Sequence, residues 1–67
     1  MVIRLDVKAI RRLMVEKRLT GAALARLAGC KPQHISLVLN RGTCNITTAG
    51  LMADALGVDV EDIWKED

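Results

Sequence analysis

Leu19-Thr20-Gly21-Ala22-Ala23-Leu24-Ala25-Arg26-Leu27-Ala28-Gly29-Cys30-Lys31-Pro32-Gln33-His34-Ile35-Ser36-Leu37-Val38 is the stretch on which everything else hangs. Thr20 suits an N-cap, because its side-chain oxygen can accept from an orphan N–H of the first helical turn. The run after it is rich in alanine and leucine. Leu24 and Leu27 are expected to face a core, and Ala25 is small enough to admit a neighbouring helix. Gly29 stands where the chain must turn, and a positive φ costs glycine least. Pro32 fits the first turn of a following helix, where its missing N–H is no loss. Lys31 is a poor cap for that helix. The pattern predicts a helix over about 20–28, a tight turn, and a second helix over about 32–40. Helices this short are unstable alone, so they must lean on each other and on their neighbours.

Within the second of these helices the two sides differ in character. If Ile35 points inward, Val38 and Leu39 share its side at about 100° per residue. Gln33, Leu37 and Asn40 then point outward, flanked by His34, Ser36 and Arg41. Toward the N-terminus, Asp6 is a candidate cap for a helix over 7–18. Val7, Ile10, Leu13 and Met14 mark its inner face, and Arg11, Arg12 and Glu16 fall outside it. Residues 1–5 are β-prone, either a frayed tail or an edge strand that pairs with its copy in a dimer. Toward the C-terminus, Gly42 ends the 32–40 helix and residues 43–47 read as a loop. Thr47 or Thr48 caps a fourth helix that ends at Leu56, with Gly57 after it. Leu51 and Met52 are adjacent there, so one face cannot bury both. Asp59 and Asp62 bracket a last short helix carrying Val60, Ile63 and Trp64. The fold class is all-α: a compact four- or five-helix bundle in one domain over 1–67, with a short N-terminal β segment as an option.

Composition narrows the function classes. Sixty-seven residues make one small domain, and 51% are hydrophobic without a single Phe or Tyr. The core must be aliphatic, which suits helix packing. No apolar run approaches the roughly 20 residues of a membrane span, and nothing resembles a signal peptide, so a cytoplasmic setting is expected. Cys30 and Cys44, with thirteen residues between them, read as reduced thiols. They lack the density of a secreted scaffold. A zinc site from Cys30, His34 and Cys44 would want a fourth ligand and paired Cys-x-x-Cys spacing. With one His, no clustered carboxylate pair in a plausible cleft and no glycine-rich phosphate loop, an enzyme is not expected, nor a cofactor or small-molecule substrate. The net charge of +2 hides a division: residues 1–45 carry nine basic and two acidic side chains, residues 46–67 one basic and six acidic. Such a body orients its basic half toward a polyanion.

Two short helices joined at a glycine turn are the plan of a helix-turn-helix, whose second helix can enter a DNA major groove. From about residue 10 to 64 the chain resembles the phage-repressor (Cro/CI, xenobiotic-response-element) helix-turn-helix family. The likeness rests on Leu19-Thr20, Leu24-Ala25, Ala28-Gly29-Cys30, Ile35-Ser36 and the tail Ala53-Asp54-Ala55-Leu56-Gly57-Val58-Asp59-Val60-Glu61-Asp62-Ile63-Trp64. It implies a lambda-repressor-like bundle that binds DNA sequence-specifically, usually as a dimer on a palindromic operator. The departures also inform. The family often places a phosphate-holding Gln at the first position of the second helix, where this chain has Gly21. It commonly pairs an Arg in the first helix with a Glu late in the third, where this chain has Met14 and Leu39. Apolar replacement of both ends of an ion pair together is tolerated, so Met14 and Leu39 are expected to touch.

Gln33 is the foremost base-reading candidate, since its amide matches adenine N6 and N7. Leu37 could meet a thymine methyl or belong to a protein-binding apolar patch. Lys31, Pro32, His34, Ser36, Asn40 and Arg41 complete the expected DNA surface, with Thr20 and Gly21 at a helix N-terminus that can hold a phosphate. Arg11, Arg12 and Arg26 are further candidates for neutralising phosphates, wherever they face the duplex. Trp64 reads as a lid on the core or a subunit contact, and Leu51 as a dimer contact. Double-stranded DNA and a second copy are the expected partners. The alternative is a protein-binding, antitoxin-like module on the same scaffold.

Overall fold

The computed structural model describes residues 2–65. In chain order the elements are β1 (Val2–Arg4), α1 (Val7–Glu16), α2 (Gly21–Ala28), α3 (Pro32–Arg41), β2 (Thr43–Asn45), α4 (Ile46–Leu56) and a single 3-10 turn, Val60–Asp62. The helix starts follow the caps. The Asp6 carboxylate accepts from the Ala9 N–H at 3.1 Å, and the Thr20 hydroxyl oxygen accepts from the Ala23 N–H at 3.0 Å. α3 starts without a side-chain cap at Lys31, with Pro32 in its first turn.

α1 stops at Glu16, two residues short of the expected end. Arg18 adopts φ 56°, the left-handed conformation usually left to glycine. Its N–H donates to the Val15 carbonyl and the Leu19 N–H to the Met14 carbonyl. The same pair of bonds closes α2 around Gly29 and α4 around Gly57. This is the Schellman closure.

The β segment corrects two expectations. Residues 2–4 neither fray nor wait for a second copy. They pair antiparallel with β2 of the same chain, in the register Val2 to Asn45, Ile3 to Cys44 and Arg4 to Thr43. Met1, expected in this segment, lies outside the described residues. Residues 43–47 are therefore not a loop, and the cap of α4 is Asn45 rather than Thr47 or Thr48. Asn45 accepts from the Thr48 N–H at 2.7 Å through its side-chain oxygen, and Thr48 lies buried within the helix. Leu5 bridges to Trp64 on the other side of β1, and the Asp6 N–H donates to the Ile63 carbonyl. The N- and C-terminal segments thus lock together.

One aliphatic core runs through the molecule. Ile10, Leu24, Ile35, Met52, Leu56 and Ile63 are its fully buried large side chains. Leu27, expected inside, is 60% exposed. Leu24, Ala25 and Ala28 form the inner stripe of α2, and Leu27 lies a little over 100° round from its centre. Leu51 is exposed and Met52 buried, as their adjacency requires. Trp64 is 41% exposed, and Ile63 beside it fills the core. α2 packs on both α3 and α4, so the two helices of the opening stretch are held as a pair.

Candidate nucleic-acid interface

The inward face of α3 is fixed by Ile35, Val38 and Leu39, all buried. Gln33, Leu37 and Asn40 are exposed on the opposite side, with His34, Ser36 and Arg41 exposed on its flanks. Gly42, at φ 73°, ends the helix just beyond Arg41. The expected outward residues thus lie together along one helix side.

A depression runs along each side of this ridge. One is a cleft lined by Arg11 and Met14 of α1, Gly21 and Ala22 of α2, and Pro32, Ile35, Ser36, Leu39 and Asn40 of α3. Met14 and Leu39 share this cleft, where the resemblance had placed an ion pair. The other is a shallow groove of about 260 Å³ between α3 and the outer face of the sheet. His34, Leu37, Val38 and Arg41 form its helix wall, and Val2, Thr43, Cys44 and Asn45 its strand wall. Gln33 lines neither depression.

Both flanks have the same chemistry. Each has an arginine, Arg11 on one side and Arg41 on the other. Each also has a helix beginning beside it: α2 at Gly21 in the first cleft, α4 just after Asn45 in the second. Helix N-termini present N–H groups and partial positive charge, so both sides of the ridge suit phosphate while its crest carries amides. Thr20 is already used as an acceptor by the Ala23 N–H. Its own O–H is a donor that a phosphate can take. His34 Nε2 lies 3.5 Å from Thr48 Oγ1, a long hydrogen bond that links α3 to the first turns of α4.

Two contributors escaped the sequence reading. Val2 lines the groove beside Leu37, and Asn45 both caps α4 and lines that groove. Asn45 itself is the legible signal, since asparagine is among the residues that favour helix N-caps. Val2 had no local signal, because only pairing with β2 brings it there. Leu37 is 51% exposed and lines the same groove as these strand residues.

A family profile for the Cro/C1-type helix-turn-helix DNA-binding domain matches residues 9–65. The chain belongs to that family. It is a helix-turn-helix protein, and the membership supports DNA binding as its activity. No match was found among curated proteins or among solved structures. Among the described residues no helix is long and apolar enough to cross a membrane.

Proposed function

We propose that this Cro/C1-type domain is a sequence-specific transcriptional regulator, a repressor that acts in the cytoplasm as a dimer on a palindromic operator. The observation that carries this is the ridge of α3. Gln33, Leu37 and Asn40 stand exposed between two cation-bearing flanks, while Ile35, Val38 and Leu39 clamp the helix from beneath. A clamped helix holds base-reading groups in fixed register, and phosphate contacts on both flanks orient it. Gln33 stands near the N-terminal end of α3, and N-terminal residues are the ones a recognition helix directs at base edges, which supports the reading. Occupying an operator excludes other proteins from it, which is the simplest route to repression.

Selection from a random duplex library with the purified protein tests the proposal. The expected result is an enriched palindrome containing an adenine that Gln33 reads. Gln33→Ala should then relax preference at that base by about 1–3 kcal/mol, roughly 5- to 150-fold. Absence of any enriched sequence overturns it.

The apolar groove between Leu37 and Val2 favours a second reading, an antitoxin-like module that binds another protein. A stable complex broken by Leu37→Glu but untouched by Gln33→Ala would select it.

A further inference from the structure

His34 is the only histidine in the chain. It is exposed on the flank of α3 and belongs to the helix wall of the groove against the sheet. Arg41, seven residues and close to two full turns further on, lies on the same side of the helix and lines the same groove. The Nε2 atom of His34 stands 3.5 Å from the hydroxyl of Thr48, the third residue of α4. Thr48 is buried, so one edge of the imidazole is turned toward the start of α4. The other ring nitrogen, Nδ1, makes no hydrogen bond to any described residue.

The charges around this ring have one sign. On α3 they are Lys31, one turn earlier, and Arg41. β1 sets Val2 in the groove, with Arg4 next on the same face. The titratable group of β2 in the groove is the Cys44 thiol, which burial keeps protonated. The first eight residues of α4, 46–53, are uncharged. Among the described residues no carboxylate lines the groove. An imidazolium here finds its anion only outside the protein.

We infer that this anion is a backbone phosphate of the duplex, and that DNA binding is coupled to uptake of a proton by His34. A neutral imidazole has one N–H, on Nε2 or on Nδ1. The imidazolium has both. Its Nε2–H donates to the Thr48 hydroxyl, and its Nδ1–H donates to the phosphate as a charge-assisted bond. One proton passes from solvent to each subunit that binds with a neutral ring. Histidine side chains ordinarily titrate near pH 6.5, and a nearby opposite charge favours the charged form. Binding therefore tightens as pH falls through that range and loosens as it rises. The inference rests on the DNA-binding reading, but not on a repressor role, a dimer or a palindrome.

Phosphate contacts carry no sequence, so the probe is a mixed-sequence duplex of about 20 bp, roughly two helical turns. Isotherms are measured at fixed salt for the parent and for His34→Gln, whose amide can still meet Thr48 but does not titrate. From about pH 8 to about pH 5.5, affinity should rise about three- to tenfold more per bound subunit in the parent, tenfold being the effect of one pKa unit. In the parent, the lone histidine gives one set of imidazole proton resonances. Their titration midpoint should move to higher pH when the duplex is added. Equal rises in parent and variant, or a midpoint that stays or moves down, overturn the inference and leave the DNA reading intact. A duplex that binds at neither pH removes both. The proton effect on the mixed duplex, with no palindrome enriched in the selection, removes the sequence-specific regulator and leaves this inference standing.

Discussion

Arg18 stands alone among the helix-closing residues. Gly29 and Gly57 take the left-handed conformation at φ 76° and 71°, and Arg18 takes it at φ 56° with a full side chain. For an L-residue that conformation costs roughly 1–2 kcal/mol, less the entropy glycine loses on folding. Arg18→Gly should therefore stabilise the domain by about 0.5–1 kcal/mol, while Gly29→Ala should cost about 1 kcal/mol. Thermal unfolding of the two variants checks both signs. At Cys44 the residue scale reaches into pH. Burial raises this thiol above its ordinary range, and a backbone hydrogen bond with Ala49 pulls weakly the other way. The folded state thus holds the thiol proton more tightly than the unfolded chain does. The stability this contributes is full below the unfolded thiol's pKa, about 8.5. It falls as pH rises beyond that and is gone once the folded thiol has itself ionised. Urea midpoints measured from pH 7.5 into the alkaline range should decline for the parent and decline less for Cys44→Ala. Equal slopes would show that Cys44 is not the group responsible.

Elements were legible wherever a local signal set them. Asp6 and Thr20 announce their helices, and Gly29, Gly42 and Gly57 end theirs, because capping is chemistry within a few residues. Strand β2 had no such signal. Thr43-Cys44-Asn45 is a strand only because Val2–Arg4 lies beside it, about forty residues away in sequence. The same pairing hid Val2 from the candidate interface, whereas the Asn45 cap was a local signal overlooked in favour of Thr47 and Thr48. Leu27 was misplaced for a different reason. Leu24 and Leu27 are three residues apart and could share a face, but packing buries the stripe on the other side of Leu24, with Ala25 and Ala28. The ridge of α3 was readable because its periodicity separates the two faces cleanly. At the start of α2, Gly21 leaves open space where a side chain could stand, and nothing lies within 4 Å of an added Cβ. It lines the cleft that also holds Arg11. Gly21→Gln would restore the phosphate-holding residue that the family resemblance implies for this position. Its expected effect is tighter duplex binding, by about 0.5–1.5 kcal/mol for one added hydrogen bond. The gain should appear equally on operator and non-operator duplexes, because phosphate contacts carry no sequence. A titration of both duplexes with parent and variant decides this, and a gain confined to the operator would contradict it.

For the whole molecule, two descriptions of charge make opposing predictions about salt. By net charge the chain is nearly neutral, at +2, and a neutral body should bind a polyanion weakly and with little salt dependence. By distribution, residues 1–45 carry +7 and residues 46–67 carry −5. The choice between them is a matter of length. The domain measures 29 × 21 × 18 Å, while the Debye length at physiological ionic strength is about 8 Å. A carboxylate a molecule's width behind the ridge is thus screened from a duplex lying against it, and an arginine on the flank is not. Local charge should win. The logarithm of the binding constant should fall steeply and linearly with the logarithm of salt concentration, by about 0.9 per phosphate neutralised. Arg41→Gln should reduce that slope by about one per subunit bound. Glu61→Gln changes the net charge by the same amount in the opposite sense. Because Glu61 lies in the 3-10 turn after α4, its neutralisation should shift affinity by no more than about twofold near 150 mM salt. Binding isotherms for the parent and these two variants across a salt series separate the alternatives. If Glu61→Gln strengthens binding as much as Arg41→Gln weakens it, total charge governs, and the flanks of α3 lose their claim to the phosphates.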